Sequence, residues 1–289
     1  MPYLQPFDPW GSELCTCPPK WSLNPYTGCG HRCLYCYATS FIPRFYEPRL
    51  KKNFLKKVER EINGLPENAL ISLSNSSDPY QPLEEKWKFT RTFLEMLTYR
   101  KVKLLILTKS DLLLRDLDLL TKLKVVVSLT ITSKKISSIL EPNAPSFERR
   151  LLALKELKRQ GLKTVVRLDP IIPGINEEEA CEVLSEVLPY ADHIVLSTYK
   201  AKPDSLKRLI EVFPEKKDKL KKLYLAEGVL IKGSRYLSLE QRRMLLLPLI
   251  EIIKKAGKSF GLCREGLNSL KLKRGFCDGS FLLRENLGL

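Results

Sequence analysis

Up to Lys200, short runs of β-branched and apolar residues alternate with longer stretches whose apolar positions recur at helical spacing. The strand candidates are Trp21–Asn24, Leu70–Ser74, Lys103–Thr108, Val125–Thr130, Lys163–Leu168 and Ile194–Thr198. Between them lie the helix candidates Leu50–Asn63, Lys86–Tyr99, Asp111–Leu123, Phe147–Gln160 and Asn176–Leu188. The last of these opens with an asparagine suited to capping, followed by Glu177, Glu178 and Glu179 against the positive end of the helix. This alternation predicts repeated strand–helix units, hence an α/β fold with a parallel sheet. Right-handed crossovers curl such units into an open or partial barrel whose site lies at the C-terminal ends of the strands. Polar residues do follow each strand: Asn75-Ser76-Ser77-Asp78, Lys109-Ser110, Thr132-Ser133, Asp169-Pro170 and Tyr199-Lys200. Turn chemistry alone also makes strand ends polar, so no single position among Asp78, Tyr80, Glu141 and Asp169 stands out as substrate-facing.

Beyond Lys200 the pattern weakens. Residues 201–237 read as a basic linker and helix, in which Lys216, Lys217, Lys219, Lys221 and Lys222 form either a solvated face or a phosphate-binding patch. A helix over Leu239–Ala256 and a strand over Ser259–Leu262 lead into a tail containing glycine and cysteine. The chain thus divides into an N-terminal arm over 1–20, a barrel over 21–200 and an extension over 201–289 that closes it. No internal repeat or low-complexity tract is present.

Composition narrows the chemistry. The 289 residues are 44% hydrophobic, enough for a sizeable core and incompatible with disorder. Lys and Arg number 49 against 33 Asp and Glu, a net charge of +16 that suits a polyanionic partner such as DNA or RNA. Lys-rich, Gln-poor chains are also typical of heat-adapted proteins, so charge by itself does not name the partner. No apolar run is long enough to span a membrane and no secretory signal is visible, so a cytoplasmic protein without a membrane partner is expected. With only His31 and His193, a Ser-His-Asp triad has almost no material, and no Walker or dinucleotide glycine fingerprint occurs.

Eight cysteines in a reducing compartment read as buried thiols, metal ligands or reactive groups. Three of them, Cys29, Cys33 and Cys36, are spaced C-x3-C-x2-C in the segment Asn24-Pro25-Tyr26-Thr27-Gly28-Cys29-Gly30-His31-Arg32-Cys33-Leu34-Tyr35-Cys36 after the first strand. Thiolates suit zinc or iron–sulfur clusters; structural zinc takes four ligands, whereas three leave one cluster iron open. His31 would complete a Cys3His zinc site, giving a zinc-stapled nucleic-acid-binding protein without catalysis, its phosphates met by Lys216 to Lys222.

With its aromatic Tyr35 before the last cysteine, the motif resembles that of the radical S-adenosylmethionine superfamily. Further ordered matches make the chain similar to the spore photoproduct lyase-like branch of that superfamily: Asn24-Pro25-Tyr26, Ser77-Asp78-Pro79-Tyr80-Gln81-Pro82, Leu107-Thr108-Lys109-Ser110, Ser128-Leu129-Thr130, Leu140-Glu141-Pro142 and Asp169-Pro170-Ile171-Ile172-Pro173-Gly174. The resemblance covers roughly residues 20–200. It implies a partial (β/α)6 TIM-type barrel with a C-terminal α/β extension, and a 4Fe-4S cluster on Cys29, Cys33 and Cys36. It also implies S-adenosylmethionine on the open iron, cleaved reductively to a 5′-deoxyadenosyl radical that abstracts a substrate hydrogen. The electron would come from a low-potential flavodoxin- or ferredoxin-type donor, and the substrate would be a nucleic acid. Lys109 and Ser128 would contact the methionyl and ribose groups of the cofactor, Arg167 is a further carboxylate partner, and Tyr35 lies beside the cluster. The Gly-Gly-Glu segment that many superfamily members carry after the second strand is absent, so Asn75 and Ser76 stand where the methionyl amine would be received.

The other five thiols fall into two groups. Cys181, among Ala180, Val183 and Leu184 on an amphipathic helix, is expected to be a buried small hydrophobe. Cys15, Cys17, Cys263 and Cys277 flank the barrel on both sides, and arm and tail can be neighbours, so these four would bind an auxiliary iron–sulfur cluster or a zinc. Alternatively, Cys263 points into the cavity as a hydrogen-atom donor, or the four are inert.

Overall fold

The computed structural model describes residues 2–8, 12–267 and 277–284. Segment 268–276, including Gly275 and Phe276 of the tail, lies outside them.

Two short strands open the chain, β1 (Gln5–Pro6) and β2 (Trp21–Leu23), followed by the small pair β3 (Tyr26–Thr27) and β4 (Arg49–Leu50). The larger strands are β5 (Leu70–Leu73), β6 (Lys103–Thr108), β7 (Lys124–Thr130), β8 (Lys163–Ile171) and β9 (His193–Thr198). A hairpin of β10 (Val229–Ile231) and β11 (Ser234–Tyr236) precedes β12 (Ser259–Leu262). The main sheet has eight strands in the order β1-β2-β5-β6-β7-β8-β9-β12. From β2 to β12 every pairing is parallel, and only β1 runs antiparallel, on the β2 edge. All six strands expected up to Thr198 are present in the expected order. The strand expected after the last long helix adds a seventh parallel member, so the C-terminal extension continues the sheet instead of packing beside it.

Period-two alternation sorts the strand residues onto two faces. Leu104, Ile106, Val125, Val127, Leu129, Val166, Leu168, Ile194 and Leu196 enter the main core together with the helices. These helices include α1 (Phe54–Asn63), α3 (Phe89–Leu97), α6 (Phe147–Arg159), α7 (Ala180–Val187) and α10 (Leu239–Lys255), while the short α2 (Pro82–Trp87), α4 (Leu117–Leu120) and α5 (Ser137–Leu140) fill the crossovers. The concave face carries Leu105, Val126, Val165 and Val195, and Leu283 from the C-terminal segment packs onto them. Phe281 meets His193 edge-on at 5.1 Å. Tail residues 277–284 therefore plug the barrel at the N-terminal half of the strands and leave a cavity only toward their C-terminal ends.

Three helix readings change. The stretch Lys86–Tyr99 is two helices broken at Lys88, whose φ is +52°. There the buried Glu84 accepts from the backbone N–H groups of Thr90 and Arg91 and so caps the second helix from the preceding one. Asn176 does not cap α7: its side chain is buried, accepting from Ile172 N and donating to the carbonyls of Thr132 and Pro170. The cap position belongs to Glu179, whose carboxylate takes Lys134 N and Lys135 N at 2.9 Å. Cys181 is exposed rather than buried, because the buried stripe of α7 is Ala180, Val183, Leu184 and Val187, and position 181 is rotated off it. Among the described residues no helix is long and apolar enough to cross a membrane.

Candidate active site

A cavity of about 920 Å³ opens at the C-terminal ends of the strands, and Cys29, Cys33, Cys36 and Tyr35 form part of its wall. The loop that carries them is held on every side by backbone and side-chain contacts. Gly28, at φ +80°, lets Cys29 N reach Phe45 O at 2.8 Å; a Cβ there would sit 2.5 Å from that same oxygen. Gln81 donates to Gly28 O (3.0 Å) and accepts from Gly30 N (2.8 Å). Leu34 N bonds Leu140 O at 2.9 Å and Asn143 donates to Gly30 O at 2.9 Å. Tyr46 donates to Cys33 O (2.6 Å), while Arg208 of α8 (Pro203–Val212) donates to Leu34 O and Cys36 O at 3.0 and 3.1 Å.

Two of the motif segments prove to be fasteners of the loop, Glu141 behind the cavity and Asp78 on its wall. Glu141 is fully buried, takes the Tyr35 hydroxyl and pairs with Arg150, which in turn holds Thr130 O and Pro145 O. Asp78 accepts from Thr108 Oγ1 (2.6 Å), Lys109 N (2.8 Å) and Tyr80 N (2.9 Å), and pairs with His31 Nδ1 at 3.4 Å. Burial opposes charge on His31, but Asp78 and Cys29 outweigh it and push its pKa up to about 10. Tyr80 is buried away from the cavity.

Of the other expected site residues, Lys109 lines the cavity with its ammonium 5.7 Å from the Tyr35 ring centroid. Burial disfavours its charge, yet Cys33 and Glu141 more than compensate and raise its pKa above the ordinary lysine value. Arg167 lines the cavity and donates to Asp169 at 2.7 Å. Asn75 and Ser76 line it too, on a loop organised by Asn24, whose Oδ1 accepts from the N–H groups of Asn75 (3.0 Å), Ser76 (2.9 Å) and Ser77 (3.3 Å). Ser128 sits one layer deeper, opposite Leu107 and Val165 in the sheet, buried and with no hydrogen-bond partner for its hydroxyl; Thr130 on the same strand face lines the cavity instead. Lysines 216 to 222 contribute nothing to the cavity wall; Lys219 and Lys222 pair with Glu177 and Glu227 on the outer surface.

Sequence reasoning missed Asn24, Gln81 and Arg208 as positioning groups, and also Glu265. The last is buried at the end of β12, where it takes Thr198 N (2.7 Å), Thr198 Oγ1 (2.9 Å) and Lys200. Asn24 and Gln81 stand in the quoted motif segments, but their role was not legible there, since each of the four acts on a segment far away in the chain.

The donor set suits a thiophilic metal group. Three thiols of one loop face one cavity, and three protein ligands would leave one position of a cluster open. Burial pushes Cys36 up to about 11 and Cys33 well above the ordinary thiol range, so these two ionise as a metal binds them. Among the described residues no three His, Cys, Asp or Glu side chains are already drawn into a metal-holding group.

A family model of the radical SAM superfamily matches residues 23–187, more than half of the chain. The chain belongs to that superfamily and is an enzyme of the radical SAM class. The uncharacterized protein MJ0683 of Methanocaldococcus jannaschii is 35% identical over 180 residues, spanning 60% of this chain and 68% of that protein. Among solved structures, a mutant of spore photoproduct lyase with bound AdoMet and dinucleoside spore photoproduct superposes with a TM-score of 0.66 at 18% identity, covering 84% of this chain and 75% of the other. Streptococcus suis SuiB bound to the precursor peptide SuiA gives 0.57 at 15% identity, covering 83% and 48%. Both likenesses concern the fold.

Proposed function

We propose that Cys29, Cys33 and Cys36 hold a 4Fe-4S cluster, that the cavity binds S-adenosylmethionine, and that the substrate is a nucleic acid. The observation that carries the reading is the opening of all three thiols onto one cavity whose wall bears Lys109 and Arg167. With both cofactors bound, one electron from a flavodoxin- or ferredoxin-type donor splits S-adenosylmethionine into methionine and a 5′-deoxyadenosyl radical that takes a hydrogen atom from the substrate.

The residues of the chain supply position and enclosure. Lys109, kept charged, pairs with the methionyl carboxylate, and Arg167 offers a second cation; Asn75, Ser76 and the carbonyls of their loop receive the amine. Thr130 takes the hydroxyl role expected of Ser128, because it lines the cavity. The tail plug closes the far end of the barrel, which keeps water from one side of the site.

The nucleic-acid reading rests on the wall itself, where nine Lys and Arg face four Asp. A dinucleoside ligand in spore photoproduct lyase is compatible with it. SuiB, with a peptide on the same fold, shows that the fold alone does not choose.

The test is anaerobic reconstitution with iron and sulfide, reduction, addition of S-adenosylmethionine and measurement of 5′-deoxyadenosine. Wild type is expected to form it and Cys33→Ala to form none. A wild-type protein with a loaded, reducible cluster and no 5′-deoxyadenosine overturns the cofactor assignment.

A further inference from the structure

We propose that Cys15, Cys17, Cys263 and Cys277 form a second, thiolate-held metal centre, a zinc ion or an iron–sulfur cluster, at the meeting point of arm, sheet and tail. Three separate parts of the chain converge there: the loop before β2, the residue after β12, and the first residue of the tail segment that plugs the barrel. Cys15, Cys17 and Cys263 line one stretch of cavity wall, and the Cys277 thiol donates to Leu262 O at 3.8 Å, next to Cys263; Cys17 interacts electrostatically with Cys15 and Cys277, and Cys277 with Cys263. Cys15 also lies within electrostatic range of Cys263, which closes the group. All four are free thiols. Four thiols brought to one place by three parts of the chain are a donor set suited to a thiophilic metal.

The surroundings are built to bring these sulfurs together. Gly261 lets the tail lie against β12: a Cβ at that position would stand 2.4 Å from Cys277 O and 2.9 Å from its Cα. Next to Cys277, Asp278 is ion-paired with buried Lys20, which ties tail to arm three residues after Cys17. The cations Lys20, Arg167 and Arg264 lie close enough to the thiols to interact with them, Lys20 and Arg167 being shared with Asp278 and Asp169. Cys15, Cys17 and Cys263 also line the main cavity, so the second centre faces the same space as Cys29, Cys33 and Cys36.

The experiment uses the full chain with Cys29, Cys33 and Cys36 all replaced by Ala, so that any remaining metal reports on the second group and the outcome does not depend on the first. The protein is isolated anaerobically, once as purified and once after incubation with iron and sulfide, and zinc, iron and sulfide are quantified. The expected result is a stoichiometric centre that is lost on adding Cys17→Ser or, separately, Cys15→Ser, and retained on adding Cys181→Ser. Colourless protein with zinc identifies the ion; brown protein with matching iron and sulfide identifies the cluster. Folding of each variant is checked by circular dichroism, and Cys15, which is not fully buried, serves if Cys17→Ser does not fold. A folded triple-alanine protein without metal under both conditions overturns the proposal. So does metal that survives both serine variants, or mass-spectrometric detection of disulfides among the four in native protein.

Discussion

Glu141 and Arg150 are both almost completely buried and hold each other and Tyr35 beneath the cysteine loop. Removing one partner of such a pair strands the other charge, so Glu141→Gln is expected to destabilise the protein by roughly 3–5 kcal/mol, whereas replacing both by leucine costs less. Denaturant unfolding of the two variants beside wild type measures this. Burial works against the Glu141 carboxylate, but Arg150 and Lys109 hold its pKa below the ordinary glutamate value. A carboxyl depressed in the folded state contributes stability above its unfolded pKa of about 4.3, and that contribution is lost as the pH falls through the folded value. Glu141→Gln should therefore flatten the acid limb of a stability–pH curve. Lys51 behaves oppositely. It lines the cavity near Tyr3 and Lys57, and burial, only partly offset by Glu61, lowers its pKa to about 8. Its charge is present below pH 8 and lost above it. Oligonucleotide affinity, followed by fluorescence anisotropy between pH 7 and 9, should fall across that range in wild type and fall less in Lys51→Arg; identical profiles would remove Lys51 from the binding surface.

Among the elements, the link between the end of β2 and the loop after β5 matters most for the cofactor. Asn24 Oδ1 accepts from three consecutive N–H groups there, and Asn24→Ala leaves them without it. An unmet buried donor costs about 1–3 kcal/mol, and 1.4 kcal/mol is tenfold in affinity, so S-adenosylmethionine binding by calorimetry should weaken by about an order of magnitude. Unchanged affinity would separate this loop from the cofactor. The strands were legible because parallel strands buried on both faces are near-continuous apolar runs, as Val125–Thr130 is. The break at Lys88 and the inward turn of Asn176 were not. Glu84 and the carbonyls of Thr132 and Pro170 decide them, and these are partners that periodicity does not contain. Cys181 could have been placed outward by a stricter reading of the helical stripe around it.

On the scale of the whole molecule, the charge of +16 and the basic cavity wall lead to a salt-dependent prediction. If phosphates are met by this wall, log affinity for DNA or RNA falls linearly with log salt, each neutralised phosphate adding about 0.9 to the slope for duplex DNA and about 0.7 for single strands. No binding at low salt would leave a peptide or small molecule as substrate. The sequence by itself determined the α/β class, the order of the parallel strands and the three-cysteine motif of the radical SAM superfamily. All of these rest on local periodicity and on residues close together in the chain. Only the tertiary structure decided that Glu141 fastens the cysteine loop from behind the cavity, that Asp78 on the wall is shared among Thr108, Lys109, Tyr80 and His31, and that Ser128 lies beneath the cavity while Thr130 lines it. It also brought the segments that carry Cys15 and Cys17, Cys263, and Cys277 beside one another. Each of these depends on which distant groups share a buried space, where the unmet needs of ions and polar atoms, rather than chain spacing, select the partner.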